Sequence, residues 1–153
     1  MEEAILDNLD YQILQLVANN ARISFLEVAR ICNVSGASIH QRIQKMTNSG
    51  IITGSEFSLN LHRLGYGTCA YLRLYFNDSI KIDNVIERVK NIHQIVECHQ
   101  TTDISELFVK IYAQNNTELL DIIQNRIKPL GLIRSEAIMT CNESFRRQLT
   151  FSL

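Results

Sequence analysis

Hydrogen-bonding side chains recur along one face of the segment from Ser35 to Gly50. Three apolar residues in it, Ile39, Ile43 and Met46, have the i, i+4, i+7 spacing of a helix, so this stripe is expected to face inward. The polar residues left on the outer faces are Ser38, His40, Gln41, Gln44 and Lys45. Hydroxyl, amide, imidazole and ammonium groups can bond the edges of nucleic-acid bases and the phosphates beside them. The segment therefore predicts a helix with the chemistry to contact DNA.

The residues around this helix indicate where it begins and ends. Ser35 is a natural N-cap, because its hydroxyl can accept a hydrogen bond from an otherwise unpaired backbone N–H. Gly50 can adopt the positive φ that commonly follows a helix. Before Ser35, Asn33 can enter the left-handed region, and Val34 can anchor the corner of a tight turn.

A second amphipathic segment precedes the turn and completes a helix-turn-helix pattern. Its narrow apolar stripe consists of Leu26, Ala29 and Ile31. Ala29 is small enough to let the two helices approach closely. DNA-binding proteins use this arrangement, but helical hairpins of the same shape also occur in proteins that do not bind DNA. The pattern alone leaves both interpretations open.

The charge of the chain is not that of a protein that binds nucleic acid indiscriminately. The 153 residues carry a net charge of −1, and residues 1–60 hold six acidic and four basic side chains. Within the predicted helix the only charged residues are Arg42 and Lys45, and most of the acidic residues come before it. A single copy is therefore expected to bind DNA weakly.

The helix-turn-helix is expected to belong to a three-helix domain of residues 1–53. Asp7 is a good N-cap for a first helix, which is expected to end near Asn19-Asn20. The apolar stripe of this helix is Leu9, Ile13, Leu16 and Val17. The three helices can then close their apolar faces on one small core.

A connector over residues 54–67 is expected next. Phe57, Leu59 and Leu61 alternate with other residues, which predicts a short strand, or wing, leaving the first domain. From Thr68 the apolar period is clearly two, which predicts the first strand of a second domain.

The second domain, residues 68–153, is expected to contain a strand, helix, strand, strand, helix and strand in that order. The second helix has the apolar stripe Leu119, Leu120, Ile123 and Ile127 and should end at Pro129 and Gly131. A fifth strand is suggested by Phe145, Leu149, Phe151 and Leu153. The order is the split β-α-β, or ferredoxin-like, arrangement with helices on one face of an antiparallel sheet. The predicted fold class is α+β.

The sheet face away from the helices mixes aromatic and charged residues. It is expected to present Tyr71, Arg73, Tyr75, Phe108, Lys110 and Tyr112. This composition is more typical of a protein interface than of a solvated surface. We therefore expect this face to meet its equivalent in a second copy, which makes a homodimer.

Several classes of protein are disfavoured. No apolar run approaches a membrane span, and the acidic N-terminus lacks the pattern of a secretory signal, so a cytoplasmic location without a membrane partner is expected. The four cysteines are scattered singly, which suggests neither a zinc site nor a disulfide framework. The sequence offers no nucleophile beside a base, no Gly-rich anion loop with a paired Arg and no metal-ligand spacing. Neither an enzyme nor a bound cofactor or metal is expected.

Taken together, the two halves resemble the leucine-responsive regulator/AsnC family of transcription regulators, and the AsnC branch most closely. Four segments carry the resemblance in order: LDYQILQLVANNAR (9–22), VSGASIHQRIQKMTNSGIITG (34–54), LGYG (64–67) and ECHQTTDISELFVKI (97–111). The resemblance implies a winged helix-turn-helix domain followed by a ferredoxin-like domain that dimerises, often assembling further into tetramers or octamers. It also implies an effector, usually an amino acid, bound between dimers.

The resemblance places the effector near the loop between the second and third strands. The residues concerned are Thr101, Thr102, Asp103, Ile104, Ser105 and Glu106, with Ala137 on the fourth strand. The family pattern has Gly at the position of Asp103 and often a small polar residue at that of Ala137. Asp103 places negative charge where an anion would sit, so it pairs an ammonium group, the ligand has changed, or the site is silent. The hydroxyl residues could equally be capping an ordinary turn.

The expected mechanism places the polar helix in the major groove of double-stranded DNA. The residues expected to contact bases or backbone are Arg22, Ser35, Gly36, Ser38, His40, Gln41, Arg42 and Lys45, with Arg42 on a phosphate. Two copies related by a twofold axis would meet half-sites about 34 Å apart. The alternative is a DNA-organising protein of the same family that needs no ligand.

Overall fold

A computed structural model of the chain describes residues 5–140, 143–145 and 149. It divides into two compact units: the second comprises the described residues of 59–144, and the first comprises those up to Ser58 together with Phe145 and Leu149. The boundary after Ser58 lies within the segment predicted to connect the domains. Across the described residues no helix is both long and apolar enough to cross a membrane.

The first unit contains three helices, α1 (Asn8–Asn19), α2 (Phe25–Cys32) and α3 (Gly36–Asn48). Each begins at a residue whose side chain accepts a hydrogen bond from a backbone N–H, namely Asp7, Ser24 and Ser35. Between α2 and α3, Asn33 adopts φ of 55°, and after α3 Gly50 adopts φ of 74°. The predicted caps and the predicted helix-turn-helix are confirmed.

The core of this unit differs from the prediction on one helix. Its buried apolar residues are Ile13, Leu14, Val28, Ala29, Ile39 and Met46. Leu26 and Ile31, predicted to face inward, are 60% and 57% exposed. The prediction was wrong because α2 packs on Val28, Ala29 and the half-buried Cys32, a stripe rotated from the expected one.

The strand predicted after α3 does not form. Residues 53–60 belong to no helix or strand, and Phe57 is 73% exposed. Their backbone groups find no neighbouring strand in the described chain, so alternating apolar residues do not suffice. Phe57 instead lies under the guanidinium of Arg22, whose carbon is 4.9 Å from the ring centre.

The second unit has four strands and two helical segments. Its elements in chain order are β1 (Thr68–Phe76), α4 (Ile82–Val89), β2 (Ile95–Gln100), β3 (Glu106–Ala113), α5 (Asn116–Asp121) and β4 (Leu132–Thr140). A π-helical turn, Ile122–Ile127, and a 3₁₀ turn, Lys128–Leu130, continue α5. The predicted order of strands and helices is confirmed.

The sheet is antiparallel with the strand order β2-β3-β1-β4. Its helix-facing side buries alternate residues of the two central strands, Ala70, Leu72, Leu74, Phe76, Leu107, Val109, Ile111 and Ala113. Val85 and Val89 of α4 and Ile122 and Ile127 after α5 cover this side. The ferredoxin-like, α+β fold is confirmed.

The second helical segment departs from the predicted stripe. Leu120 is 59% exposed, whereas Ile122, which was not predicted to be buried, is 2% exposed. The buried residues Leu119, Ile122, Ile123 and Ile127 keep helical spacings of three and four residues, so Ile122 rather than Leu120 completes the face that packs on the sheet. The predicted fifth strand falls largely outside the described residues, and Phe145 and Leu149, which are described, belong to no strand.

Gly131 ends this helical segment as predicted, and it leaves little space for a larger residue. It has φ of +94°, and an added Cβ would overlap Cδ1 of Ile80. Gly65 is a matched control, with φ of +92° and open space around the same position. We expect Gly65→Ala to lower the free energy of unfolding by about 1 kcal/mol. Gly131→Ala should lower it by a further ~1–3 kcal/mol because of overpacking.

Urea unfolding of both variants at one protein concentration measures the difference. Adding Ile80→Ala to Gly131→Ala should remove the clash but not the backbone strain. Equal losses for the two glycine variants would show that Ile80 moves aside without cost.

Candidate nucleic-acid interface and effector loop

The outer face of α3 carries the polar residues that the sequence predicted for DNA contact. His40, Gln41 and Lys45 are exposed, Ser38 and Gly36 are half-buried, and the face is not covered by its own domain. The Ser35 hydroxyl accepts the backbone N–H of Ser38 at 3.2 Å, so it caps the helix. On the opposite side Ile39 and Met46 are buried in the core. The helix is therefore held by one face and presents the other.

Arg42 takes a different position from the one expected. Its Nη1 lies 2.8 Å from Oδ2 of Asp7 and 2.7 Å from Oδ1 of Asp10, both at the start of α1. The hydrogen bond from Arg42 lowers the pKa of Asp7, and the two carboxylates raise that of Arg42. In the absence of DNA, Arg42 therefore forms an intradomain ion pair in which one guanidinium nitrogen is shared between two carboxylates, and its expected phosphate contact stays a prediction.

Two aromatic contacts involve residues of the predicted interface. The His40 ring lies edge-on to Phe25 of α2, with 6.1 Å between ring centres. Arg22 is exposed and stacks on Phe57. Sequence reasoning missed Phe25, and the available signal was a large aromatic residue directly after the Ser24 cap.

The open face of the sheet, defined as the side away from α4 and α5, holds all six residues predicted for the dimer interface. Tyr71 of β1 stands opposite Lys110 of β3, and the Lys110 ammonium group lies close to the Tyr71 ring. Tyr71 stacks on Phe108 with 5.6 Å between ring centres. Ile138 of β4 stands opposite Tyr71 and is 60% exposed, and sequence reasoning missed it. The alternation of residues along β4 was the sequence signal that could have placed Ile138 on this face.

Lys110 is buried on this face although it is charged. It is 6% exposed, and its Nζ lies 3.4 Å from Oε1 of Glu97 and 5.5 Å from the centre of the Tyr71 ring. Burial alone would lower its pKa, but Tyr71, Tyr112 and Glu97 outweigh burial and raise it. The ammonium therefore stays charged inside an aromatic and acidic surround.

A second ion pair links the open face to the loop between β2 and β3. Nε of Arg73 lies 2.6 Å from Oε1 of Glu106, and Nη2 lies 3.2 Å from Oε2. This bidentate bond lowers the pKa of Glu106 and raises that of Arg73. Oε2 of Glu106 also lies 3.2 Å from the Thr101 hydroxyl, which belongs to the loop. The Glu106 carboxylate thus bonds both Thr101 of the loop and Arg73 of the open face.

The loop itself is closed by its own side chains. Oδ1 of Asp103 accepts hydrogen bonds from the backbone N–H and the hydroxyl of Ser105, both at 2.9 Å. The Thr101 hydroxyl accepts the backbone N–H of Asp103 at 3.1 Å. The bonds from Ser105 lower the pKa of Asp103, so this carboxylate stays ionised. Thr102 and Ile104 are exposed.

Comparisons with known protein families identify the type of both domains. A model of winged helix-turn-helix DNA-binding domains matches residues 6–53, and a model of the Lrp/AsnC ligand binding domain matches residues 69–148. This chain belongs to the Lrp/AsnC family. It is a transcriptional regulator with a DNA-binding and a ligand-binding domain, and its named relatives are transcription regulators.

The relatives of this Lrp/AsnC regulator include the regulatory protein AsnC of Haemophilus influenzae. That protein is 29% identical over 130 residues, which cover 85% of this chain and 87% of the relative. The structure of Escherichia coli AsnC matches with a TM-score of 0.87 at 24% identity, covering 96% and 99% of the two chains. A Neisseria meningitidis transcriptional regulator in complex with L-Met matches with a TM-score of 0.87 at 15% identity, covering 97% of both. These two structures share the fold.

Within one subunit the Lrp/AsnC fold does not bring Ala137 to the loop. Ala137 pairs with Leu72, whose side chain is buried on the helix side of the sheet, whereas Glu106 pairs with Tyr75 on the open face. Two strand spacings and three residues separate Ala137 from Glu106, about 14 Å in all. A site that contained both residues would need a second subunit.

The Arg73–Glu106 pair generates a pH-dependence prediction for the regulator. The folded-state pKa of Glu106 is below its usual value of about 4.3, so its stabilisation is present above that pH and is lost as the pH falls through the lowered pKa. Glu106→Gln should therefore be less stable than wild type at pH 7, and the difference should shrink as the pH falls below about 4.

Urea unfolding at pH 7, 5 and 3 at constant protein concentration measures this difference. Glu87→Gln removes an exposed carboxylate on α4 and should follow wild type at every pH. A Glu106→Gln difference that persisted unchanged at pH 3 would contradict the account.

Proposed function

We propose that this Lrp/AsnC regulator binds specific DNA sites as a homodimer, with one α3 helix from each subunit in the major groove. The single observation that carries the proposal is the polar face of α3. His40, Gln41 and Lys45 are exposed there, while Ile39 and Met46 fix the opposite face in the core. Amide and imidazole groups bond base edges, and a lysine ammonium suits phosphate.

A pair of helices compensates for the sparse positive charge of each. Counterion release supplies most of the non-specific affinity for DNA, and α3 with two basic residues, one of them ion-paired, neutralises few phosphates. Twofold-related helices would meet half-sites about 34 Å apart. We propose residues 1–53 as the DNA-binding domain, 54–67 as the connector and 68–153 as the domain that dimerises and binds the effector. Tetramers or octamers of these dimers are a further level of the same proposal.

The open face of the sheet is the proposed dimer interface. Its stacked Tyr71 and Phe108 and its exposed Ile138 supply apolar area, and Lys110 is already desolvated and paired with Glu97. Aromatic residues are enriched in the cores of protein interfaces, and charges that are already paired leave no unpaired charge when the face is covered. A second copy would cover the face with the same composition.

The DNA proposal leads to contrasting expectations for two residues of α3. Gln41→Ala should lower the preference for a selected site over scrambled DNA by about 5- to 100-fold, because a base contact is lost. Lys45→Ala should weaken binding to both fragments alike and reduce the salt slope of log K by about 0.9.

Band-shift titrations of the full chain at several salt concentrations measure both quantities, with DNA selected from a random pool by the wild type. Gln12→Ala, at an exposed position of α1, is the matched control and should behave as wild type. Wild-type preference and affinity in all three variants would refute the assignment of this face.

We propose that the effector is an amino acid recognised through its ammonium group. The backbone N–H groups of Asp103 and Ser105 already bond Thr101 and Asp103 within the loop, so they are not free to hold a carboxylate. Oδ2 of Asp103 is the acceptor that these bonds leave, and it carries negative charge. The L-Met complex of the structurally similar regulator supports an amino acid.

A thermal-shift screen of the common amino acids tests this recognition. At 100 times the dissociation constant, an effector should raise stability by about 2.7 kcal/mol, which is a rise of several degrees. The N-acetylated form of the same amino acid should have no effect on wild type, and Asp103→Asn should abolish the response. Asp78→Asn, an exposed aspartate in another turn, should retain it.

Stabilisation by the acetylated form would contradict ammonium recognition. If no amino acid stabilises the wild type, the ligand-independent DNA-organising function is favoured, and long footprints with little sequence preference should accompany it.

A further inference from the structure

Arg42 lies beside the inward stripe of α3 rather than on its outer face. Its neighbours one turn away in either direction, Ile39 and Met46, are 0% and 1% exposed. Gln41 and Lys45 lie on the exposed side of the same helix. The position points Arg42 toward α1, and its guanidinium contacts the first turn of that helix.

The contact at α1 is built from several mutually supporting bonds. Asp7 and Asp10 form a capping box, in which each carboxylate accepts the backbone N–H of the other residue. The side chain of Asp10 is 4% exposed, so its charge depends on Arg42 for compensation inside the domain. The two carboxylates in turn separate the guanidinium from the positive end of the α1 dipole.

Apolar packing and ion pairing constrain α3 in different ways. Ile39 and Met46 lie in one buried apolar cluster with Ile13, and apolar packing is non-directional, so it holds α3 in the core but resists rotation about its axis weakly. Hydrogen bonds from one guanidinium nitrogen to two fixed carboxylates are directional. Because the side chains of a helix extend to about 5–6 Å from its axis, even a small rotation of α3 about that axis moves Gln41 and Lys45 away from the DNA groups that they are proposed to contact.

We propose that Arg42 is a positioning residue, which sets the rotation of α3 for base recognition by clamping it to Asp7 and Asp10, and that it is not a phosphate ligand. This inference rests on the DNA-binding function of the domain. The two roles predict opposite effects when one of the aspartates is neutralised. If Arg42 binds phosphate, losing a competing carboxylate strengthens DNA binding, whereas if Arg42 positions α3, losing that carboxylate weakens base recognition.

The experiment compares Asp7→Asn, Asp10→Asn and Arg42→Gln in the full chain. Band-shift titrations against the selected fragment and a scrambled fragment give the preference ratio, and a salt series gives the slope of log K. Each variant should lower the preference about tenfold and leave the slope within about 0.3 of wild type, because no phosphate contact is lost. The double variant Asp10→Asn/Arg42→Gln should lose no more preference than either single variant.

Glu27→Gln is the matched control, since it removes an exposed acidic charge from α2 of the same domain and should keep the wild-type preference. Asp7→Asn retains an N-cap amide oxygen at an exposed position, so it carries the test if Asp10→Asn does not fold. Measurements below the melting temperature of every variant separate loss of preference from unfolding.

The proposal is overturned if Asp7→Asn keeps or raises the preference, or if Arg42→Gln reduces the slope by about 0.9, the value for one lost phosphate contact. In either case a wild type that still discriminates between the fragments leaves the DNA-binding function intact. A wild type that selected no sequence would instead refute the proposed function.

Discussion

The open face of the antiparallel sheet imposes the main constraint on this regulator. Helices cover one side of the sheet, while the other side carries stacked aromatic rings and a lysine that is buried before any partner arrives. Removing water from such a surface is favourable, because its aromatic rings are apolar and the charge of Lys110 is already compensated by Glu97. In the proposed homodimer a second copy would supply that cover and would also bring a second DNA-binding helix, which would compensate for the low positive charge of one domain.

The DNA-binding domain also has few positive charges free to contact DNA. One of the two basic residues of α3 is used inside the domain, where Arg42 compensates Asp10, and Lys45 on the same helix stays exposed. Caps at Asp7, Ser24 and Ser35 fix the ends of the helices without charge on the outer face. The proposed DNA binding therefore relies more on specific contacts from neutral polar groups than on general attraction to phosphate.

Local rules explain what the sequence predicted well. N-caps, the left-handed Asn33 and strand alternation in β1 and β3 depend on neighbouring residues, so they could be recognised directly. The errors arose where distant parts of the chain decide. The buried stripe of α2 follows the packing of α1 and α3, and the wing lacked a strand to pair with. The face of the second helical segment that packs on the sheet includes Ile122 and not Leu120. The partner of Arg42 lies 32 and 35 residues away, beyond any local pattern. The roles of the site residues in DNA, effector and subunit contact remain proposals.

Sedimentation velocity of the full chain at micromolar concentration tests most directly whether the open face joins two copies. The account predicts that wild type sediments at a mass of at least twice 17.5 kDa. Phe108→Asp, which places an unpaired charge beside Tyr71 in the interface, should shift the protein to the monomer while its helical circular dichroism is retained. A wild type that sediments only at 17.5 kDa would contradict the account.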